Sequence, residues 1–205
     1  MQRTNLSAIL NALVREGLVE KSAGRPVLYR LAGGQAKTGD ESCFSELVGY
    51  DGSLRQSVQL AKAAMLYPQH SLHCLLTGPG GSGKSCFAQM IHRFATENYA
   101  LEPEAPFVKI NCAHFADRPE QLTVEIFGGI EGKTSFLEQA EDGILFIDHG
   151  ELLPPAAKSG LLSLVENNYR TWQGRRCNLR TTVVCAVEET AAGEILEPFK
   201  SRFSV

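Results

Sequence analysis

Gly78-Pro79-Gly80-Gly81-Ser82-Gly83-Lys84-Ser85 lies between an apolar run, Leu72-His73-Cys74-Leu75-Leu76-Thr77, and an amphipathic one, Ser85 to Tyr99. The octet fits G-x-x-x-x-G-K-[ST], the phosphate-binding P-loop. Glycines let the backbone wrap closely and aim its N–H groups at phosphate oxygens. Lys84 would set a point charge on the β- and γ-phosphates, and Ser85 would offer its hydroxyl to Mg²⁺. The apolar run reads as a short buried strand entering the loop. Phe87, Met90, Ile91, Phe94 and Ala95 recur at helical spacing beyond it, so a helix leaves the loop. Strand, glycine loop and helix in that order are the context the motif requires.

Working outward, Ile144-Leu145-Phe146-Ile147-Asp148 is an apolar strand ending in an acid. Downstream of a P-loop this is a Walker B pattern, with Asp148 holding the Mg²⁺ shell opposite Ser85. Further helices are predicted over Leu54–Leu66, Gln121–Phe127 and Ala156–Asn167, the last with Leu161, Leu162, Leu164 and Val165 inward. Further strands are predicted over Phe107–Asn111 and Thr181–Val187, and Gly143 opens the strand ending at Asp148. Alternating β and α units imply an α/β fold: a parallel sheet with helices on both faces and the ligand at the carboxyl ends of the strands.

The first fifth differs. Asn5 to Glu16 carries Leu6, Ile9, Leu10, Leu13 and Val14 at helical spacing, and Gly17 stops the helix. Leu18–Lys21 and Val27–Leu31 read as two strands joined by Ser22-Ala23-Gly24-Arg25-Pro26. A helix followed by a basic-tipped hairpin is how a winged helix-turn-helix ends, the helix in the major groove and Arg25 on phosphate or minor groove. The stretch resembles the recognition helix and wing of winged-helix regulators. Residues 1–32 are therefore expected to form a partial winged helix, a possible contact to DNA, with 33–43 as linker. About thirty residues cannot bury a full core, so this piece is read as truncated or as a remnant.

Bulk properties bound the function classes. The chain has 205 residues, 43% of them hydrophobic, and a net charge of −3. Residues 1–33 hold Arg3, Arg15, Lys21, Arg25 and Arg30 against Glu16 and Glu20, a local +3, which leaves −6 for the rest. A basic start on an acidic body suits a small nucleic-acid-facing segment, although a solvated helix surface gives the same charge. No apolar run is long enough to cross a membrane and no signal peptide is evident, so a cytoplasmic protein is expected. Cys43, Cys74, Cys86, Cys112, Cys177 and Cys185 form no C-x-x-C pair and read as reduced thiols, several of them in the core.

The segments "LVGYDGSLRQSVQLAKAAMLYP", "LLTGPGGSGKSCFAQMIHRFA", "APFVKINCAHFADRP", "EIFGG", "FLEQAEDGILFID" and "LLPP" resemble the AAA+ activators of sigma-54 RNA polymerase, most of all the levanase-operon-regulator type. The resemblance implies an AAA+ domain over 44–205 that binds ATP with Mg²⁺. Leu47, Val48 and Gly49 would line the adenine site, and Asn111 would sense the γ-phosphate through the Walker B glutamate. A homo-oligomeric ring is implied, in which arginines reach the neighbour's nucleotide. Arg180 is the best candidate for that role, ahead of Arg175 and Arg176, though a solvated basic stretch would look similar.

Three departures qualify these implications. The family's Walker B reads Asp-Glu, and here it is Asp148-His149, so the carboxylate that polarises the attacking water is replaced by imidazole. The family's Gly-Ala-Phe-Thr-Gly-Ala loop, which grips sigma-54, is replaced by the direct run Phe127 to Phe136. The polar sensor after the last strand is replaced by Glu188-Glu189-Thr190, and the family's helical lid has no counterpart before Val205. The expectation is a regulator-like ATP-binding protein in which hydrolysis and sigma-54 contact are both weakened. Its alternatives are a non-hydrolysing nucleotide-binding regulatory module and an inactive truncated remnant.

Overall fold

The computed structural model describes residues 14, 19–21, 29–31, 42–67, 71–128, 133–167, 169–172, 175–178 and 180–188. The chain divides into two compact units, 1–41 and 42–205. In the first, β1 (Val19–Lys21) pairs antiparallel with β2 (Tyr29–Leu31), Val19 opposite Leu31. This is the expected hairpin. The helix expected over 5–16, apart from Val14, and residues 22–28 fall outside the described residues.

The second unit runs α1 (Arg55–Met65), β3 (Cys74–Gly78), α2 (Lys84–Glu97), β4 (Phe107–Asn111), α3 (Pro119–Phe127), α4 (Phe136–Gln139), β5 (Ile144–Asp148), α5 (Pro155–Asn167), β6 (Tyr169–Trp172), β7 (Arg175–Asn178) and β8 (Thr182–Glu188). Four strands form one sheet in the order β3-β8-β5-β4, all neighbours parallel. The strand entering the glycine loop starts at Cys74 rather than Leu72, because Leu72 N–H turns back to the Ala64 carbonyl at 2.9 Å.

Period-two alternation in the two central strands sets up both cores. Ile144 and Phe146 on β5, with Val184 and Ala186 on β8, face α1 and α2, where Val58, Ala61, Met65, Phe87, Ile91 and Phe94 close on them. Leu145 and Ile147, with Val183, Cys185 and Val187, face α3 and α5, where Leu122, Ile126, Leu161 and Leu164 do the same. Burial on both faces is why these strands are nearly continuous in apolar residues. Leu162 and Val165 pack only at the margin of the second core. Gly143 admits β5 beneath Pro106, since a Cβ there would collide with the Pro106 carbonyl.

Two elements went unforeseen. The β6–β7 hairpin carries Arg170, Arg175 and Arg176 and lacks an apolar alternation. The short α4 has a full capping box, with the Ser135 hydroxyl accepting from Glu138 N–H and Glu138 accepting from Ser135 N–H. Its S-x-x-E signature was available in the sequence. Of the cysteines, Cys43, Cys74, Cys112 and Cys185 are buried and Cys86 is exposed. Burial pushes the Cys74 and Cys112 thiols up to about 12 and raises that of Cys185 as well, so they stay protonated and inert.

Candidate nucleotide-binding site

The carboxyl ends of β3, β8, β5 and β4 converge on one edge of the sheet, which carries the glycine loop, Glu188, Asp148 and Asn111. Between β3 and α2 the chain must reverse around an anion-sized concavity. Gly81 (φ 75°) and Gly83 (φ 87°) take left-handed conformations that L side chains disfavour. Gly83 then caps α2, a fourteen-residue helix whose free N–H groups and dipole point into the loop. Lys84 Nζ donates to the carbonyls of Gly78 (2.8 Å) and Pro79 (2.9 Å), so the ammonium is folded over the loop.

A cavity of about 580 Å³ adjoins the loop, lined by Leu47, Val48, Leu54, Leu60 and Ala61 on one side and by Gly78, Pro79, Ser82, Gly83 and Lys84 on the other. That volume and that apolar wall with a polar floor suit a nucleotide base beside its phosphates. Leu47 and Val48, which the resemblance implies beside adenine, are among the residues lining this cavity. Gly49 (φ 90°) shapes the turn behind them, its carbonyl accepting from Gly52 and Leu54 N–H. Val48, 98% exposed, is an apolar side chain at the mouth of this cavity.

Opposite the loop, Ser85 Oγ donates to Asp148 Oδ2 at 3.0 Å, which brings the P-loop hydroxyl and the Walker B acid together. A third group joins them that the sequence reading passed over. Lys109, on β4, places Nζ 2.8 Å from Asp148 Oδ2 and 3.1 Å from Ser85 Oγ, and 5.3 Å from the centroid of the Phe146 ring. The register explains this: Lys109 pairs with Phe146 and Asn111 with Asp148, so all four share one face at the carboxyl edge. Partial burial pushes the Asp148 carboxyl up, but the hydrogen bonds from Lys109 and Ser85 and the Lys109 charge outweigh it, so it titrates below its ordinary value.

The other implied residues are placed less uniformly. Asn111 Oδ1 accepts from Ala113 N–H at 3.0 Å, capping the turn after β4. His149 takes a left-handed conformation (φ 56°), and its Nδ1 lies 3.1 Å from Glu151 Oε1. An ionised carboxylate only accepts, so Nδ1 carries the proton and Nε2 is the basic nitrogen. Glu151 Oε2 in turn accepts from Glu188 N–H at 3.3 Å. The Glu188 carboxylate leans on the loop: a Cβ at Gly80 would stand 3.1 Å from its Oε1. Arg180 precedes β8, at the opposite end of the sheet, where it binds Asp142 (2.7 Å) and Glu141 (3.4 Å) and is largely exposed. Arg175 and Arg176 belong to β7. Among the described residues no cluster of three or more His, Cys, Asp or Glu side chains could hold a metal, and no helix is long and apolar enough to cross a membrane.

The fold is shared with known proteins. Solved structures of NtrX from Brucella abortus match it, the complex with ATP at TM-score 0.62 and 28% identity, over 78% of this chain and 35% of that one. RuvB of Thermotoga maritima shares the fold at TM-score 0.55 and 20% identity, over 79% of this chain and 46% of that one. Among curated proteins, the transcriptional regulatory protein DagR of Salmonella typhimurium is 35% identical over all of this chain and 26% of its own length. LevR of Bacillus subtilis is 32% identical over 98% of this chain and 26% of its own. The chain thus spans about a quarter of these two relatives. The family model described as the sigma-54 interaction domain matches residues 47–202, and the chain belongs to that family.

Proposed function

We propose that this chain is a nucleotide-binding regulatory module of the sigma-54 activator type, which binds ATP at Gly78–Ser85 and turns it over weakly or not at all. The observation that carries this is the formed phosphate loop, with Lys84 folded over the Gly78 and Pro79 carbonyls beside an apolar cavity of nucleotide size. His149 stands in place of the family's carboxylate, and Asn111 is bonded to Ala113. Loss of the Gly-Ala-Phe-Thr-Gly-Ala run argues against the family's grip on sigma-54. Transcriptional regulation, a ring in which Arg180 meets a neighbour's nucleotide, and DNA contact by a partial winged helix over 1–32 belong to the same reading. For the last, support comes from the β1–β2 hairpin and the local charge of +3.

Mg²⁺ has a narrower basis. Ser85 Oγ and Asp148 Oδ2 are the oxygens it would use, and both are bonded to Lys109 Nζ. The residues as arranged fit an ammonium better than a divalent ion.

A second reading, a working ATPase, is favoured by the His149–Glu151 pair. A carboxylate holding Nδ1–H leaves Nε2 as a candidate base for water. ATP binding and phosphate release measured on one sample, for the parent chain and Lys84→Ala, separate the two. Lys84 supplies charge-assisted contacts of about 1.5–3 kcal/mol, so its loss should weaken ATP binding roughly 10- to 150-fold. Binding that falls this way, with no turnover above that of Lys84→Ala, is the expected result. Lys84-dependent turnover would establish the ATPase, and absence of binding by the parent chain would overturn both readings.

A further inference from the structure

A P-loop protein ordinarily takes the positive charge between its Ser/Thr hydroxyl and its Walker B acid from Mg²⁺. Here Lys109 Nζ sits between the same two groups, 2.8 Å from Asp148 Oδ2 and 3.1 Å from Ser85 Oγ. The two oxygens are themselves hydrogen-bonded at 3.0 Å, so the three atoms form one closed cluster. The Phe146 ring, 5.3 Å from Nζ, gives the ammonium a second attraction on its inner side. Strand pairing fixes the position, because Lys109 stands opposite Phe146 and Asn111 opposite Asp148 in β4 and β5. The edge strand therefore fixes the backbone of Lys109 beside the site, and its side chain, 41% exposed, reaches in to the two oxygens. A divalent ion entering this spot would have to displace an ammonium already bonded to both of its protein oxygens, against like-charge repulsion.

Resting on the nucleotide-binding reading above, we propose that Lys109 is the resident cation of this site. Its ammonium takes the place of the divalent ion, so the chain binds nucleoside triphosphate without Mg²⁺. A bound triphosphate would meet Lys84 from the loop and Lys109 from β4, two lysines in place of one lysine and a metal. No bond is made or broken, and the consequence is a change in which ion the nucleotide brings with it. Nucleotide occupancy then follows ATP itself rather than its magnesium complex.

ATP binding by isothermal titration calorimetry on the full chain tests this, in EDTA and in millimolar Mg²⁺. Lys109→Ala and Lys109→Met are run alongside, the latter keeping the aliphatic stem over Phe146. Circular dichroism melts confirm that each variant folds. The parent chain is expected to show dissociation constants within about threefold in the two buffers. Both variants should bind at least tenfold more weakly in EDTA than in Mg²⁺, because vacating the Ser85–Asp148 oxygens restores the need for a metal. A parent chain as metal-dependent as its variants overturns the proposal while leaving the nucleotide site standing. A parent chain that binds ATP in neither buffer overturns the nucleotide site and this proposal with it.

Discussion

Glu188 closes β8 in register with Gly78, and its carboxylate oxygen stands beside Gly80. A negative charge there faces the phosphates that the loop is shaped to receive. For a separation of roughly 5 Å, two unit charges repel by about 0.8 kcal/mol in water and about 3 kcal/mol at an effective dielectric of 20. Glu188→Gln should therefore tighten ATP binding by about threefold or more, and ATP more than ADP, since the γ-phosphate adds charge. Equal affinities for parent and variant, measured with both nucleotides, would show that the carboxylate swings clear. The conflict was legible in the sequence as an acidic pair where a polar sensor is expected. Lys109 was not, because "FVKIN" reads as a strand and only the pairing of β4 with β5 puts its ammonium beside Asp148. The Glu151 contact to His149 was hidden for a related reason: it depends on the left-handed turn at His149. Neither strand pairing across a crossover nor a strained φ at a non-glycine residue has a local sequence signature.

Elements whose burial repeats along the chain were readable, and those held by polar contacts were not. The four sheet strands and the helices α1, α2, α3 and α5 carry period-two or helical apolar patterns and fell within a few residues of expectation. The segment after α3 shows the other case. Glu125, 7% exposed near the end of that helix, accepts from Lys133, within the run that stands in place of the family loop, and from Gln121 at 3.3 Å. The Lys133 hydrogen bond holds the Glu125 carboxyl below its ordinary value near 4.5, against the upward push of burial. A carboxylate depressed in the folded state adds stability that is present above its unfolded value and is lost as pH falls through the folded one. Stability should thus fall below about pH 4.5, with this one proton contributing at most about 1.4 kcal/mol per pH unit. Urea midpoints from pH 7 down to pH 3.5 should fall less steeply for Glu125→Gln than for the parent chain. Identical slopes would mean that the Lys133 contact is not kept in solution.

At the scale of the molecule, the proposed nucleotide site draws on both halves of the larger unit's construction. Its base wall comes from Leu47, Val48 and α1, its phosphate loop from the β3–α2 junction, and its acidic wall from β5 and β8. A ligand seated there ties together elements that otherwise meet mainly through the core packed against α1 and α2. Binding to the folded state alone stabilises it by RT ln(1 + [L]/Kd), about 2.7 kcal/mol at a hundred times Kd. For a unit of this size each kcal/mol moves the midpoint by about 2–4 °C, so saturating ATP should raise it by roughly 5–10 °C. Lys84→Ala should abolish most of that rise while leaving the unliganded midpoint nearly unchanged, because the Lys84 bonds to Gly78 and Pro79 lie on an open loop rather than in either core. If ATP leaves the parent midpoint unmoved while the unfolding transition is cooperative, the fold persists without its ligand, and the glycine loop is an inherited shape rather than a working site.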